Sequence, residues 1–247
     1  MRAFRTVFLT EMKLSLRGMD MLIFAIAMPV VTIVILGIIF GSKPAFEGAT
    51  YTFIEQSFGA VSAIAICAGG VMGLPLVISD YREKKILKRY RVTPSSPALV
   101  LLVQVAIYTT YAIVSMVLVW LVSAVFFGLR LQNTIPPFLG AFFLVMLSMF
   151  SIGMLVGGVS KNSKVAGILA SILYFPMLIF SGTTIPYEIL PAPLQLAADL
   201  MPLTQGIKLL KATSLGLPME NAWQPILVML FLAIICIALS IRFFKWE

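Results

Sequence analysis

The side chains that can carry charge or do chemistry are concentrated in one stretch of this chain. Residues Asp80 to Pro97 read DYREKKILKRYRVTPSSP. They hold six of the eighteen lysines and arginines (Arg82, Lys84, Lys85, Lys88, Arg89 and Arg91) and two of the ten acids, Asp80 and Glu83. The flanking sequence is apolar for dozens of residues on either side. Such a cluster is suited to presenting fixed positive charge to a partner or to an anionic surface. Other chemistries find little support. There is no histidine, which removes imidazole acid–base catalysis and His metal sites. The two cysteines, Cys67 and Cys236, each sit inside an apolar run, so no disulfide framework is expected. No G-x-x-x-x-G-K-[ST] sequence occurs, and the chain is therefore not expected to bind ATP itself; HExxH, G-x-S-x-G and CxxC are likewise missing.

The elements that must position the basic stretch follow from composition. Of 247 residues, 60% are hydrophobic and 11% charged, whereas a soluble domain carries about a quarter charged residues. The apolar residues fall in long uninterrupted runs, which predicts an all-α membrane protein forming a single transmembrane domain over residues 1–247. In that setting the net charge of +8 reflects cytoplasmic loops facing anionic lipid, and no nucleic-acid partner is expected. The first apolar run begins only near Met21 and is of spanning length, so no cleavable signal peptide is expected.

Residues 1–20 have the pattern of an interfacial amphipathic helix. Phe4, Phe8, Met12 and Leu16 fall on one side, and Arg2, Thr6, Thr10, Lys13 and Arg17 on the other. Its bland role is a membrane anchor. Asp20 is placed to cap the first span. Six transmembrane helices follow, over 21–40, 58–79, 98–127, 138–159, 165–184 and 223–244. Pro29, Pro75 and Pro176 lie inside spans, and Gly69, Gly70 and Gly73 suit close helix packing. Gln104, Tyr108, Thr109, Thr110 and Tyr111 give span three a polar patch. No acid or base lies deep in a span, which argues against a proton- or ion-coupled carrier and against an intramembrane protease.

Within residues 80–97, Asp80 with Glu83 three positions later resembles a capping box. Ile86, Leu87 and Tyr90 share a face with Glu83, and Pro94 and Pro97 terminate the run. The expectation is one short amphipathic helix of about three turns. Glu83 can serve that cap, contact a partner, or do both. Residues 185–221 carry five prolines among mixed polar and apolar residues. They are expected to form an external hairpin of re-entrant helices, because the piece from Leu190 to Leu203 is too short and too proline-rich to span. With six spans, fourteen basic residues fall on one side and four on the other, which puts both termini in the cytoplasm.

This arrangement resembles the permease subunit of ATP-binding-cassette type-2 exporters, the class that includes antibiotic-resistance and daunorubicin-type exporters. The resemblance covers essentially the whole chain. Its most specific part is Arg82-Glu83-Lys84-Lys85-Ile86-Leu87-Lys88-Arg89-Tyr90-Arg91-Val92-Thr93-Pro94, and its second marker is Phe180-Ser181-Gly182, Pro186, Leu190-Pro191 and Met201-Pro202-Leu203-Thr204. Many members have Gly-Thr where this chain has Lys85-Ile86, a difference expected to keep the helix more continuous here.

The resemblance implies a multi-pass protein of a bacterial-type plasma membrane that pairs with a second permease chain, identical or related, above two ABC ATPase subunits. It implies no enzyme activity and no cofactor in this chain, with ATP and Mg held by the partner ATPase. The segment over 80–97 would be a cytoplasmic coupling helix, with Arg82, Glu83, Lys84, Lys85, Lys88, Arg89 and Arg91 facing the ATPase. Tyr174, Phe175, Met177 and Phe180 on span five would lie along the translocation path, for which packing or lipid contact is the plainer explanation. An apolar, uncharged interior suits an amphipathic drug- or lipid-like substrate moved out of the cell. The alternative from another class is a non-transporting membrane scaffold or assembly factor that recruits a cytoplasmic partner through the same basic helix.

Overall fold

The computed structural model describes residues 2–41, 43–46, 49–90, 97–129, 135–181, 191–217 and 223–243, with side chains at all of these except 2, 20, 89, 90, 97 and 192. Among the described residues the chain is helical with no strand; one isolated bridge pairs Pro44 with Thr52. Helix α1 covers Arg2–Gly18. Among the described residues six helices are long and apolar enough to cross a membrane, as expected.

The first, α2, runs Ile23–Phe40 and opens with a π turn over Ile23–Ala27, just before Pro29. Met19, at φ 54°, separates it from α1. The cap expected from the Asp20 side chain lies outside the described residues. The second, α3, runs Phe53–Glu83 and contains a π turn over Ala68–Gly73, ahead of Pro75. It starts before the expected residue 58 for a legible reason. Thr52 Oγ1 accepts from the Glu55 amide at 3.2 Å, and the Glu55 carboxylate accepts from the Thr52 amide at 2.7 Å. This is a true Thr-x-x-Glu capping box.

Short α4 is Ile86–Tyr90. Span three, α5, is Pro97–Phe127, and its 31 residues reach about 46 Å, longer than the hydrocarbon layer. Span four, α6, is Ile135–Val159, and span five, α7, is Ser163–Phe180 with Pro176 inside. Asn162 caps α7, its Oδ1 accepting from the Val165 amide at 2.9 Å. Then come α8, Ala192–Asp199, α9, Pro202–Leu215, and span six, α10, Trp223–Phe243. The stretches 182–190 and 218–222 of the expected hairpin lie outside the described residues.

The bundle is built around α3. Its most apolar stretch is 83% buried, against 17–28% for spans one, three, five and six. It packs against α2, α5, α6, α7 and α9. Helix α9 buries Leu203, Ile207 and Leu210 and packs against α3 and α6, with Leu210 beside Gly59 near the start of α3. Leu196 and Leu200, on and just after α8, remain exposed.

The α3–α6 crossing is set by glycine. A Cβ on Gly153 would lie 1.8 Å from the Gly70 carbonyl oxygen, and one on Gly157 would lie 3.0 Å from Pro75 Cα. The backbones themselves are the contact surface, which a side chain on either helix would pry apart. Gly153→Ala should lower the melting temperature in detergent by an amount matching a loss of at least about 1–3 kcal/mol, because backbone cannot yield as a side chain does. Gly140→Ala, on the same helix with nothing within 4 Å, should melt at or slightly above the wild type, because alanine is the better helix former. Equal melting of the two variants would disprove the close crossing.

Candidate functional site

The basic stretch is not one helix. Residues 80–83 are the last turn of α3, Lys84 caps it, and α4 begins only at Ile86. Between the two helices Lys85 sits at φ 56°, in the left-handed region. An L residue there is strained and glycine is not. The expectation that Lys85-Ile86 keeps the helix continuous is therefore incorrect: the chain turns at this position with a lysine in it. The capping box expected at Asp80 and Glu83 is also absent. Asp80 lies inside α3, where its Oδ2 accepts from Lys84 Nζ at 2.9 Å, and Glu83 turns elsewhere.

What Glu83 and its neighbour do follows from the way helices end. The last carbonyls of a helix and its first amides have no partner within it. Helices α6 and α7 meet at the turn Ser160–Asn162, and both ends are served by consecutive residues of α3. Arg82 Nη1 donates to the carbonyls of Gly157, Gly158 and Ser160 at 3.1, 2.9 and 2.8 Å. The Glu83 carboxylate accepts from the Ser163 amide at 2.9 Å and from Ser163 Oγ at 2.8 Å. A cation therefore meets a helix C-terminus and an anion a helix N-terminus, each of the sign that the helix dipole favours. The two side chains clamp the α6–α7 turn onto α3 across 75 to 80 positions of sequence.

The remaining basic residues divide. Lys84, Lys85 and Lys88 are exposed, around a short helix that is itself anchored: Leu87 is 1% exposed and packs into the core, with α4 resting on α3 and α5. The Arg89 side chain and the whole of Arg91 to Ser96 lie outside the described residues. The exposed Lys84–Asp80 pair contributes little to stability. The structure thus separates Arg82 and Glu83, which bind the ends of α6 and α7, from three lysines that are exposed. Of the face expected for this helix, Leu87 is buried and Ile86 half-buried, the Tyr90 side chain lies outside the described residues, and Glu83 turns to α7.

The polar patch of span three meets a second polar group at this end, on α1 and α3. Glu11 of α1 is buried; it accepts from Tyr81 Oη and from Gln104 Nε2, the latter at 3.0 Å. Gln104 Nε2 also lies 3.2 Å from Tyr81 Oη, and Tyr111 Oη donates to Ser15 Oγ at 2.8 Å. The signal was available. Glu11 and Ser15 sit four apart on the apolar side of α1, Gln104 and Tyr111 seven apart on span three, so each pair lines one helical face. The four span-five residues do not form one surface. Met177 is buried, Tyr174 is half-buried against the core, Phe180 is half-buried, and Phe175 points out at 52% exposure. They are on the far turns of α7 from the Glu83 cap and are not brought together with the basic residues.

Two comparisons bear on this geometry. A family model described as ABC-2 type transporter matches residues 2–215. Nodulation protein J of Rhizobium leguminosarum bv. viciae is 30% identical over 97 residues, which are 39% of this chain and 35% of that protein. The alignment thus spans about a third of the length of the curated relative.

Arg82→Ala should release the carbonyls at the end of α6. Hydrogen bonds to a charged group are worth roughly 1.5–3 kcal/mol, so the variant should melt measurably earlier in detergent, and Arg82→Lys should recover only part because an ammonium lacks the guanidinium fork. Wild-type melting of Arg82→Ala would show that the clamp does not hold the turn.

Proposed function

The chain belongs to the ABC-2 type transporter family, and on that premise we propose that it is the membrane-spanning permease subunit of an ATP-driven exporter. Its motor would be a separate ABC ATPase, and its substrate an amphipathic drug- or lipid-like molecule. The observation that carries the reading is the form of the basic segment. Helix α4 is a short helix seated on the bundle by Leu87, with Lys84, Lys85 and Lys88 turned outward. Next to it, Arg82 and Glu83 join the end of α3 to α6 and α7. A partner gripping α4 would pull on the most buried helix of the bundle and, through the clamp, on two more.

In this reading the three lysines, with Arg89 and Arg91 beyond them, meet complementary charge on the ATPase. Arg82 and Glu83 act behind that contact by positioning the spans that move. The positive-inside count places this end in the cytoplasm with both termini. Tyr174 and Met177, directed into the bundle, and Phe175 and Phe180 beside them supply apolar and aromatic surface of the sort an amphipathic substrate would slide along. A second permease chain would complete that path. ATP and Mg belong to the partner ATPase.

The outer hairpin fits the same scheme. Gly206 on α9 lies against Val145 of α6 and Met229 of α10, both within the spanning helices. A helix at that depth would dip into the outer leaflet as a re-entrant element, tolerated because protein surrounds it.

Two experiments test the reading. Lys84→Glu/Lys88→Glu should sharply reduce capture of a co-expressed ABC ATPase by the tagged permease, with a cooperative melting transition in detergent showing that the variant is folded. Undiminished capture would remove these lysines from the docking surface. Single cysteines at Leu196 and Leu200, which the protein itself leaves exposed, should react slowly with a membrane-impermeant maleimide in intact vesicles and quickly in detergent. Cys67 and Cys236 are buried and give little background. Fast reaction in vesicles would place α8 in water instead of lipid.

A further inference from the structure

Helix α1 carries a feature that an anchor does not need. Its inward side packs Val7, Phe8 and Met12 on the core, and Glu11 stands in the middle of that side, 7% exposed. Leucine at this position would hold α1 to apolar surface better, because a carboxylate loses its hydration on burial and must be repaid in hydrogen bonds. The bonds come from two other elements, Tyr81 at the end of α3 and Gln104 on α5. They exist in one register only. Rolling or sliding α1 by a single residue would take the carboxylate away from both donors, whereas a purely apolar contact would tolerate the shift. The Ser15–Tyr111 bond one turn along α1 enforces the same register. Tyr81 is also the residue immediately before Arg82 and Glu83, so three consecutive side chains of α3 hold α1 and α5, the end of α6, and the start of α7.

We propose that Glu11 is a positioning residue: with Tyr81 and Gln104 it locks α1 to the end of α3, so that α1 and the clamped α6–α7 turn move as one body. As far as this movement is driven by an ATPase, the proposal rests on the permease reading above. The lock itself is a property of this chain alone.

The test measures the distance between nitroxide labels at Lys13 and Lys161, both exposed, one on α1 and one on the α6–α7 turn, by double electron–electron resonance in nanodiscs. In the permease alone the expected result is a single narrow distance. Glu11→Ala should lose that narrow peak to a broad distribution. Glu11→Gln, which keeps one oxygen to accept from Tyr81 and Gln104, should restore it. Tyr81→Phe removes a donor with almost no change of shape and carries the test should Glu11→Ala fail to fold; it too should broaden the peak. A narrow, wild-type peak in a folded Glu11→Ala, or in Tyr81→Phe, overturns the lock. In the complex with the ATPase, the wild-type distance should be the same without nucleotide and after trapping with ATP and vanadate; a shift overturns the one-body movement. Failure to form any ATPase complex counts against the permease reading, while the measurement on the permease alone still decides the lock.

Discussion

A helix that stops at the edge of an apolar layer leaves carbonyls or amides that lipid cannot satisfy. At the turn between α6 and α7 both kinds occur within a few residues of each other, and Arg82 and Glu83 satisfy them from the end of α3. The rest of the basic end depends on this pairing. It fixes where α3 ends, and the chain then turns at Lys85 in a left-handed conformation and starts α4 anew. At this break Lys84 and Lys85, and Lys88 on α4, are exposed, while Leu87 keeps α4 seated.

The same helix is tightly packed at one crossing and irregular in pitch beside it. Gly70 and Gly153 bring α3 and α6 into backbone contact, so that neither can shift without the other. Immediately around this crossing, the π turn at Ala68–Gly73 and Pro75 relax the regular ladder of α3. Tyr108 of span three fills the space that Gly69 and Gly73 leave. The glycines therefore act as packing surfaces, and the ring of Tyr108 is part of that packing. In the proposed permease, a pull at the basic end would be delivered to this crossing.

Much of this was legible in the chain. Six apolar runs gave six spans, because burial in lipid requires about twenty consecutive apolar residues and that requirement is local. Caps are local too, yet the same spacing occurs where no helix starts. Thr52 and Glu55 form the box that begins span two, whereas Asp80 and Glu83, at the same spacing, sit at a helix end instead of a start. Spacing alone does not say whether the chain before it is already helical. Lys85 illustrates the converse: its side chain favours helix, and its neighbours on α3 and α4 impose φ 56° upon it.

The sequence by itself determined the class of molecule, the number and order of its spans, the concentration of charge at one end and the absence of a nucleotide motif. These are properties of composition and of runs along the chain. Only the tertiary structure decided what individual polar residues do. Arg82 meets carbonyls 75 positions away, Glu83 an amide 80 away, and Glu11 a tyrosine 70 away. No periodicity encodes such pairs. They arise because closing the bundle buries α3 on all sides and brings unsatisfied helix ends and one unsolvated carboxylate within reach of it.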